Sequence, residues 1–382
     1  MNKAWAPTIF VAASLILAGC SSSDAGDSAV AATADSSDPG VVAAKAYLDS
    51  QQANPTTIEI ADPLSKKPDP GKLVVKLVTP QPVTQVVSDG TKAAAEALGW
   101  TYKAIPVAAT AEGIQKAFQA ALELQPAPLG IEVSGYPKVT FAAQLAEAKK
   151  RGIAVVSEST TDLPGTDDGI VALLDGPSQV QLWGKAIAAK VVVDSNGKAQ
   201  VAMVSVSAYP ILGEFVTGFK DALKEWCPTE CSVTDLDQQA TDVGTKTPTA
   251  IVSALQRNPK LNYAVFSFGD LTIGLHAALS AAGLNDKVKI AGETATAANL
   301  AAVKDGTELA WTGFAAPVLG WRTVDAMARF ANGDDLGSAT TSPLPTQVVT
   351  KENIGSILTD DAGFYIGVAD YADQFKKLWL AQ

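Results

Sequence analysis

The amino-acid sequence predicts an α/β protein of two doubly wound parallel-sheet lobes joined by a multi-stranded hinge. Short β-branched runs, such as Leu73–Val78, alternate along the chain with amphipathic stretches of about 10 to 15 residues. This alternation is typical of right-handed βαβ units and parallel sheets. It yields roughly nine or ten strands in about 310 residues after position 71, which is more than one sheet or one typical domain comfortably holds.

The first lobe is predicted to begin at residue 72. Leu73–Val78 is a nearly continuous apolar run, as expected of a strand that is buried on both faces. Gly99 and Gly152 each end a helix that follows a strand. The predicted strands are residues 73–78, 100–105, 129–133, 153–156 and 170–174, and the predicted helices are 83–98, 111–124, 139–151 and 180–193.

The same alternation restarts near residue 200. The predicted strands are residues 200–206, 232–236, 263–268, 288–291 and 309–312, and the predicted helices are 212–226, 248–257, 270–282, 297–304 and 318–331. The last helix follows the last strand of the second lobe and is expected to return to the first, which makes the hinge multi-stranded. Lobe 1 is therefore predicted to hold residues 72–177 and about 315–340, and lobe 2, with the hinge return, residues 178–314 and 341–382.

The N-terminus predicts export and lipidation. An apolar stretch too short to span a bilayer ends in Leu17-Ala18-Gly19-Cys20, which resembles the lipobox of bacterial lipoproteins. The resemblance implies that residues 1–19 are a signal peptide, and that Cys20 carries a diacylglycerol anchor on the extracytoplasmic face of the cell membrane. Residues 20–71 then read as a lipidated tether and linker. The alternative is an ordinary secretory signal with a chance cysteine.

Charge and cysteine content limit the partners. Without residues 1–19 the chain has 28 basic and 40 acidic side chains, a net charge of −12, which argues against nucleic acid. Cys227 and Cys231 are the remaining cysteines, and in an exported protein they are predicted to form a disulfide. The alternative is half of a zinc site, but the chain has a single histidine, His276, to complete one. No metal and no cofactor are expected.

Polar and aromatic residues follow most of the predicted strands. Ligands bind beyond the carboxyl ends of strands in such lobes, where carboxylates, amides and hydroxyls hydrogen-bond a solute and aromatic faces stack on it. Each residue has an alternative role in a turn or helix cap, Asp270 in particular. The candidate ligand-binding residues are Gln81, Ser134, Tyr136, Glu158, Asp175, Tyr209, Phe268, Asp270, Thr294 and Phe314.

The order of these elements resembles the type I substrate-binding proteins of ABC importers, in the branch that includes ribose- and other sugar-binding proteins. The resemblance implies two lobes, a three-stranded hinge, a solute trapped between the lobes, and delivery to membrane permease subunits by a monomer. It spans roughly residues 73–349 and rests on Lys72-Leu-Val-Val-Lys-Leu-Val78, Gly152-Ile-Ala-Val-Val156, Gly218-Phe-Lys-Asp-Ala-Leu223, and Phe266-Ser-Phe-Gly-Asp270 with Gly274.

Departures from that family pattern bear on the solute. The stretch Leu212-Gly213-Glu214-Phe215 lacks the arginine that sugar binders usually place there, and Gly292-Glu293-Thr294 stands where Gly-Phe-Asp is common. An aromatic residue, Phe314, replaces a polar one. Loss of bidentate donors and gain of aromatic rings argue against a highly hydroxylated pentose or hexose, so a less polar or aromatic solute is at least as well supported.

Enzyme functions find little support in the sequence. The chain has no Walker loop, no Gly-x-Gly-x-x-Gly after a strand and no Gly-x-Ser-x-Gly elbow. Glu158 and Asp175 could form a carboxylate pair for glycoside hydrolysis, although similar residues line sugar-binding clefts without catalysis. A further alternative to an importer is a sensor that presents its bound solute to a membrane receptor.

Overall fold

The computed structural model describes residues 38–165 and 168–381, so the predicted signal peptide and the lipid attachment at Cys20 lie outside the described residues. The described chain begins with α1 (Pro39–Ser50), which precedes the first strand. The strands of the first sheet are β1 (Leu73–Val78), β2 (Thr101–Pro106), β3 (Gly130–Ser134), β4 (Ala154–Glu158) and β5 (Ile170–Leu174). The helices between them are α2 (Pro82–Ala97), α3 (Ala111–Leu122) and α4 (Ala142–Lys150).

The first sheet is wholly parallel, in the order β2-β1-β3-β4-β5. Its central strands are buried on both faces: Val74, Val75 and Leu77 of β1 are fully buried. β-branched side chains suit such strands, since they pack well on a pleated surface. This strand order is that of a doubly wound fold, as predicted.

The second sheet has six strands in the order β11-β10-β9-β8-β6-β7. They are β6 (Gln200–Ser205), β7 (Ser232–Asp237), β8 (Tyr263–Phe266), β9 (Lys289–Gly292), β10 (Ala310–Thr312) and β11 (Val348–Thr350). The first five are parallel and β11 is antiparallel to β10. The accompanying helices are α5 (Pro177–Ser195), α6 (Pro210–Trp226), α7 (Thr247–Arg257), α8 (Leu275–Ala281) and α9 (Ala297–Asp305). Two lobes with parallel sheets are therefore confirmed.

The chain returns to the first lobe through α10 (Ala316–Asn332), which packs against α2. The two helices approach closely at a pair of glycines. A Cβ atom on Gly320 would lie 2.3 Å from the Thr91 amide nitrogen, and one on Gly90 would lie 2.6 Å from the Pro317 carbonyl oxygen. Short α11 (Ser338–Thr341) and C-terminal α12 (Tyr371–Leu378) also pack on α10. The C-terminal helix thus lies on the first lobe, not on the second as the predicted boundaries placed it.

The segment before β1 is part of the folded body. Val41, Ala44 and Leu48 of α1 are buried, and α1 packs on α5 and α6 of the second lobe. Residues 51–66, which we call the N-terminal strap, then cross to the first lobe. There the Arg322 Nη2 atom donates to the Ile58 carbonyl at 2.7 Å, and the Arg329 Nη2 atom donates to the Asp62 carbonyl at 2.6 Å.

The linker predicted to run to residue 71 is therefore too long. The strap packs on the first lobe because it supplies one backbone carbonyl to each of two buried guanidinium groups, and buried charged groups need such partners.

Two local features complete the comparison with the sequence. Cys227 and Cys231 form a disulfide, as predicted, so the alternative of half a zinc site is wrong. The helix predicted over residues 270–282 is divided into a 3-10 turn, Gly269–Thr272, and α8. Gly274 separates them with a φ of +78°, a conformation that glycine adopts without steric cost.

Candidate functional site

A cavity of about 100 Å³ lies between the two lobes, where the carboxyl ends of both sheets face each other. Its small volume, well below the several hundred Å³ usual for drug-sized ligands, leaves room for a small solute. Its wall combines aliphatic, aromatic, hydroxyl and carboxyl side chains: Thr79, Gln81, Val83, Thr84, Val87, Ser134, Gly135, Glu158, Ser159, Asp175, Val180, Trp183, Tyr209, Ile211, Leu212, Phe268, Glu293, Thr294, Phe314 and Leu319.

Most of the residues predicted from strand ends lie on this wall. They come from eight different strands of the two sheets, because the carboxyl ends of parallel strands converge on one edge. The predicted residues on the wall are Gln81, Ser134, Glu158, Asp175, Tyr209, Phe268, Thr294 and Phe314.

Tyr136 and Asp270 were predicted to contact the solute, but the structure places them beside the cavity and not on its wall. The Tyr136 ring packs edge-on against the Tyr209 ring, with centroids 6.0 Å apart, and the buried Tyr136 hydroxyl has no hydrogen-bond partner among the described residues. The Asp270 carboxylate accepts a hydrogen bond of 3.4 Å from the Val83 amide. Both side chains are used for contacts between the lobes.

A second hydrogen bond also joins the lobes. The Gln81 side-chain amide, after β1, donates to the Tyr209 hydroxyl, after β6, at 3.0 Å. Together with the bond from Val83 to Asp270, it holds the segment after β1 in the first lobe against the segments after β6 and β8 in the second lobe. Burial raises the pKa of Asp270 to about 6, against the opposing effect of the Val83 amide. Because these two hydrogen bonds join the lobes, the cleft between them is closed.

An ion triad lies behind the first-lobe wall. Lys76 of β1 is fully buried and donates to Glu132 Oε1 at 2.7 Å and to Glu158 Oε1. Burial alone would lower the pKa of Lys76, but the carboxylates of Glu132 and Glu158 raise it. Burial raises the pKa of Glu132, whereas Lys76 acts to lower it. The second carboxylate oxygen of Glu158, Oε2, is buried and has no hydrogen-bond partner among the described residues.

Two further carboxyl groups face the cavity. Asp175 accepts from the Ser159 amide at 2.8 Å and from the Ser159 hydroxyl at 2.6 Å, and Glu293 accepts from the Thr294 hydroxyl at 3.0 Å. Burial raises the pKa of Asp175 well above its ordinary value, and the nearby Glu158 raises it further. Burial likewise raises the pKa of Glu293, with a smaller contribution from Asp175. Burial disfavours the ionised form of both Asp175 and Glu293, so each carboxyl group is stabilised by a bound proton or by a nearby cation.

The backbone of the cavity wall is strained. Ser159, Asp175 and Thr294 are non-glycine residues with positive φ angles of 49°, 45° and 56°. Such left-handed conformations are uncommon for residues with a Cβ atom and concentrate at functional sites. The surrounding structure must hold these three strand ends in place, since it maintains a backbone conformation that costs free energy.

Sequence reasoning missed Ser159, Trp183 and Glu293 on the wall. Ser159 and Glu293 directly adjoin predicted residues at the same strand ends, so the rule used for their neighbours also applies to them. Trp183 lies on the first turns of α5, where no strand-end rule applies. Its ring packs edge-on against the Phe314 ring, with centroids 5.9 Å apart.

The cavity wall has no positively charged side chain. None of the wall residues is Lys or Arg. Arg322, a buried cation near the hinge, donates from its two Nη atoms to backbone carbonyls, including those of Ser342 and Pro343 at 2.6 Å. Within the described residues, no group of His, Cys, Asp and Glu side chains could hold a metal ion.

Residues 73–335 match the family described as periplasmic binding protein domain. The chain belongs to the periplasmic binding protein family. The family assignment and the two-lobed fold agree with the resemblance read from the sequence.

Solved structures show the same fold. The 5-methylthioribose transporter solute-binding protein of Thermotoga lettingae has a TM-score of 0.68 at 17% identity, over 84% of this chain and 100% of its own. A solute-binding protein from Mycobacterium smegmatis with bound glycerol has a TM-score of 0.67 at 18% identity, covering 78% and 99%. A solute-binding protein from Burkholderia graminis in complex with D-arabinose has a TM-score of 0.65 at 18% identity, over 78% of this chain and 100% of its own. A sequence comparison with curated proteins gives no match.

These named relatives are binding proteins of transport systems. No helix in the described part of this periplasmic binding protein is both long enough and apolar enough to span a bilayer.

Proposed function

We propose that this periplasmic binding protein is the lipid-anchored, extracytoplasmic solute-binding component of an ABC importer. It closes its two lobes about a small molecule and presents the closed form to permease subunits. The observation that carries this proposal is the cavity enclosed by strand ends of both lobes and closed by hydrogen bonds from Gln81 and Val83 across the cleft.

The anchor and the oligomeric state belong to the same proposal. Cys20 in Leu17-Ala18-Gly19-Cys20 carries the lipid, and the protein works as a monomer on the outer face of the cell membrane. An acylated cysteine holds a protein at a membrane because each buried CH₂ contributes about 0.8 kcal/mol.

The protein binds its solute without chemical change. The two carboxyl groups weighed as a hydrolytic pair are engaged in other contacts: Glu158 with Lys76, and Asp175 with both the amide and the hydroxyl of Ser159. Three structural neighbours hold bound D-arabinose, glycerol and 5-methylthioribose, which supports a small solute as the ligand class.

Native mass spectrometry of the purified protein tests solute binding, and uptake of the identified solute in cells with and without the gene tests import. We expect one co-purifying small molecule and slower uptake in the deletion strain. Binding with unchanged uptake would favour a receptor-linked sensor, and conversion of the solute would favour an enzyme.

A further inference from the structure

We infer that the cavity is built for a small solute that carries a protonated amine on an apolar body. This inference rests on the proposed solute-binding function and names the class of solute. Its basis is the combination of charge, unused hydrogen-bonding capacity and aromatic rings on the cavity wall.

The charge on the wall is one-sided. Glu158, Asp175 and Glu293 all contribute carboxyl groups to it, and no wall residue is basic. The nearest described cation behind the wall, Lys76, is shared between Glu132 and Glu158, so it balances only one of those two carboxylates. A cation in the cavity compensates the remaining negative charge, as buried charges require a partner.

One acceptor on the wall is vacant. Glu158 is 1% exposed, and its Oε2 atom has no hydrogen-bond partner among the described residues. A buried carboxylate oxygen without a donor is costly, so the site gains most from a ligand that brings one. An ammonium group brings three donors and no acceptor.

The donors on the wall are largely in use. The Gln81 amide donates to Tyr209, and the hydroxyls of Ser159 and Thr294 donate to wall carboxylates. The Thr84 hydroxyl donates to the carbonyl of Thr79. The exceptions are the Ser134 hydroxyl and the buried Trp183 indole nitrogen Nε1, which has no hydrogen-bond partner among the described residues. A sugar hydroxyl needs donors as well as acceptors, whereas a wall of acceptors matches a group that only donates.

Aromatic rings supply the rest of the environment. Trp183 and Phe314 meet edge to face at 5.9 Å, and Phe268 and Tyr209 complete the apolar side of the wall. Ring faces attract a cation electrostatically and cover an apolar body with large contact area. Carboxylates combined with rings therefore suit an alkyl or aryl amine better than a polyol.

Calorimetric titration with matched pairs of probes tests this inference on the full-length chain purified in detergent. The pairs are benzylamine with benzyl alcohol and isobutylamine with isobutanol, and D-arabinose and glycerol serve as polyols. We expect at least one amine to bind ten-fold or more tightly than its alcohol, and more tightly than either polyol.

Three variants identify the groups responsible. Glu293→Gln and Asp175→Asn should each weaken amine binding ten-fold or more while leaving alcohol binding within two-fold. Asp237→Asn is the matched control: Asp237 accepts from the Ser207 amide at 2.8 Å and the Ser207 hydroxyl at 2.9 Å, as Asp175 does from Ser159, but it lies outside the cavity. Circular dichroism verifies that each variant is folded.

The outcomes separate this inference from the proposed function. Polyols that bind while amines do not, or amines and alcohols that bind equally, overturn the amine and leave a solute receptor. Absence of binding by every probe overturns the amine as well, and absence of any co-purifying solute in native mass spectrometry overturns the receptor.

Discussion

Replacement of Lys76 by methionine should destabilise the protein by about 3 to 5 kcal/mol at pH 7.5, although methionine fills much of the same volume. Lys76 is fully buried and bonded to two carboxylates, so the change leaves Glu132 and Glu158 without their shared cation. Breaking a buried pair in this way typically costs about 3 to 5 kcal/mol. Two hydrogen bonds to charged groups, at about 1.5 to 3 kcal/mol each, give a similar figure.

The loss should depend on pH in a defined direction. Burial raises the pKa of Glu132 in the folded protein, and the loss of Lys76, which acts to lower that pKa, raises it further. An acid of this kind binds more protons when folded, so folded stability is recovered as the pH falls. The deficit of Lys76→Met should therefore shrink between pH 7.5 and pH 5.

Urea unfolding followed by circular dichroism at both pH values measures this effect. Lys45→Met is the matched control, because Lys45 forms an exposed ion pair with Asp49 at 2.7 Å, and such pairs contribute about 0.3 to 0.5 kcal/mol. A loss for Lys76→Met below about 1 kcal/mol, unchanged with pH, would show that the two carboxylates do not depend on this lysine.

Three further changes test other parts of the molecule. Tyr209→Phe removes the acceptor of the Gln81 amide across the cleft and should weaken binding of the co-purified solute about five-fold in calorimetry. Tyr136→Phe removes an unpartnered hydroxyl and should leave the affinity unchanged, so equal losses in the two variants would contradict this. Asp270→Asn should raise the free energy of unfolding at pH 7.5 by up to about 3 kcal/mol, because the pKa of Asp270 is raised to about 6 and its carboxylate is disfavoured in the closed form. Below pH 4 the carboxyl group is protonated, so the variant and the parent should be equally stable; a difference that does not change with pH would contradict this. Cys20→Ser should release the protein from the membrane fraction, and retention there would show another anchor.

The strand ends could be predicted because they follow from local sequence. Glu158 and Asp175 each end an apolar run, and parallel strands bring such positions together whatever the details of packing. The role of Lys76 could not be predicted in this way. It is a single charged residue inside an apolar run, and its partner Glu132 becomes visible only when β1 and β3 pair in the register that sets these two residues side by side.

The strap could not be predicted because its order comes from distant residues. Locally, residues 51–66 contain turn-forming and polar residues and no periodic pattern. Their partner Arg322 lies 264 residues beyond Ile58 in sequence. Contacts of that separation leave no signal in either segment alone.

The strap adds a mechanical element to the hinge. On one side, the Val348 amide donates to the Gln51 carbonyl at 2.7 Å beside the second sheet. On the other, the Ile58 amide donates to the Gln374 side chain of α12, on the first lobe, at 3.0 Å. The few residues between these two attachments include Pro55, whose ring fixes its φ angle. The strap is therefore a further crossing between the lobes that is attached to both, so any rotation of one lobe against the other has to be accommodated within residues 51–58.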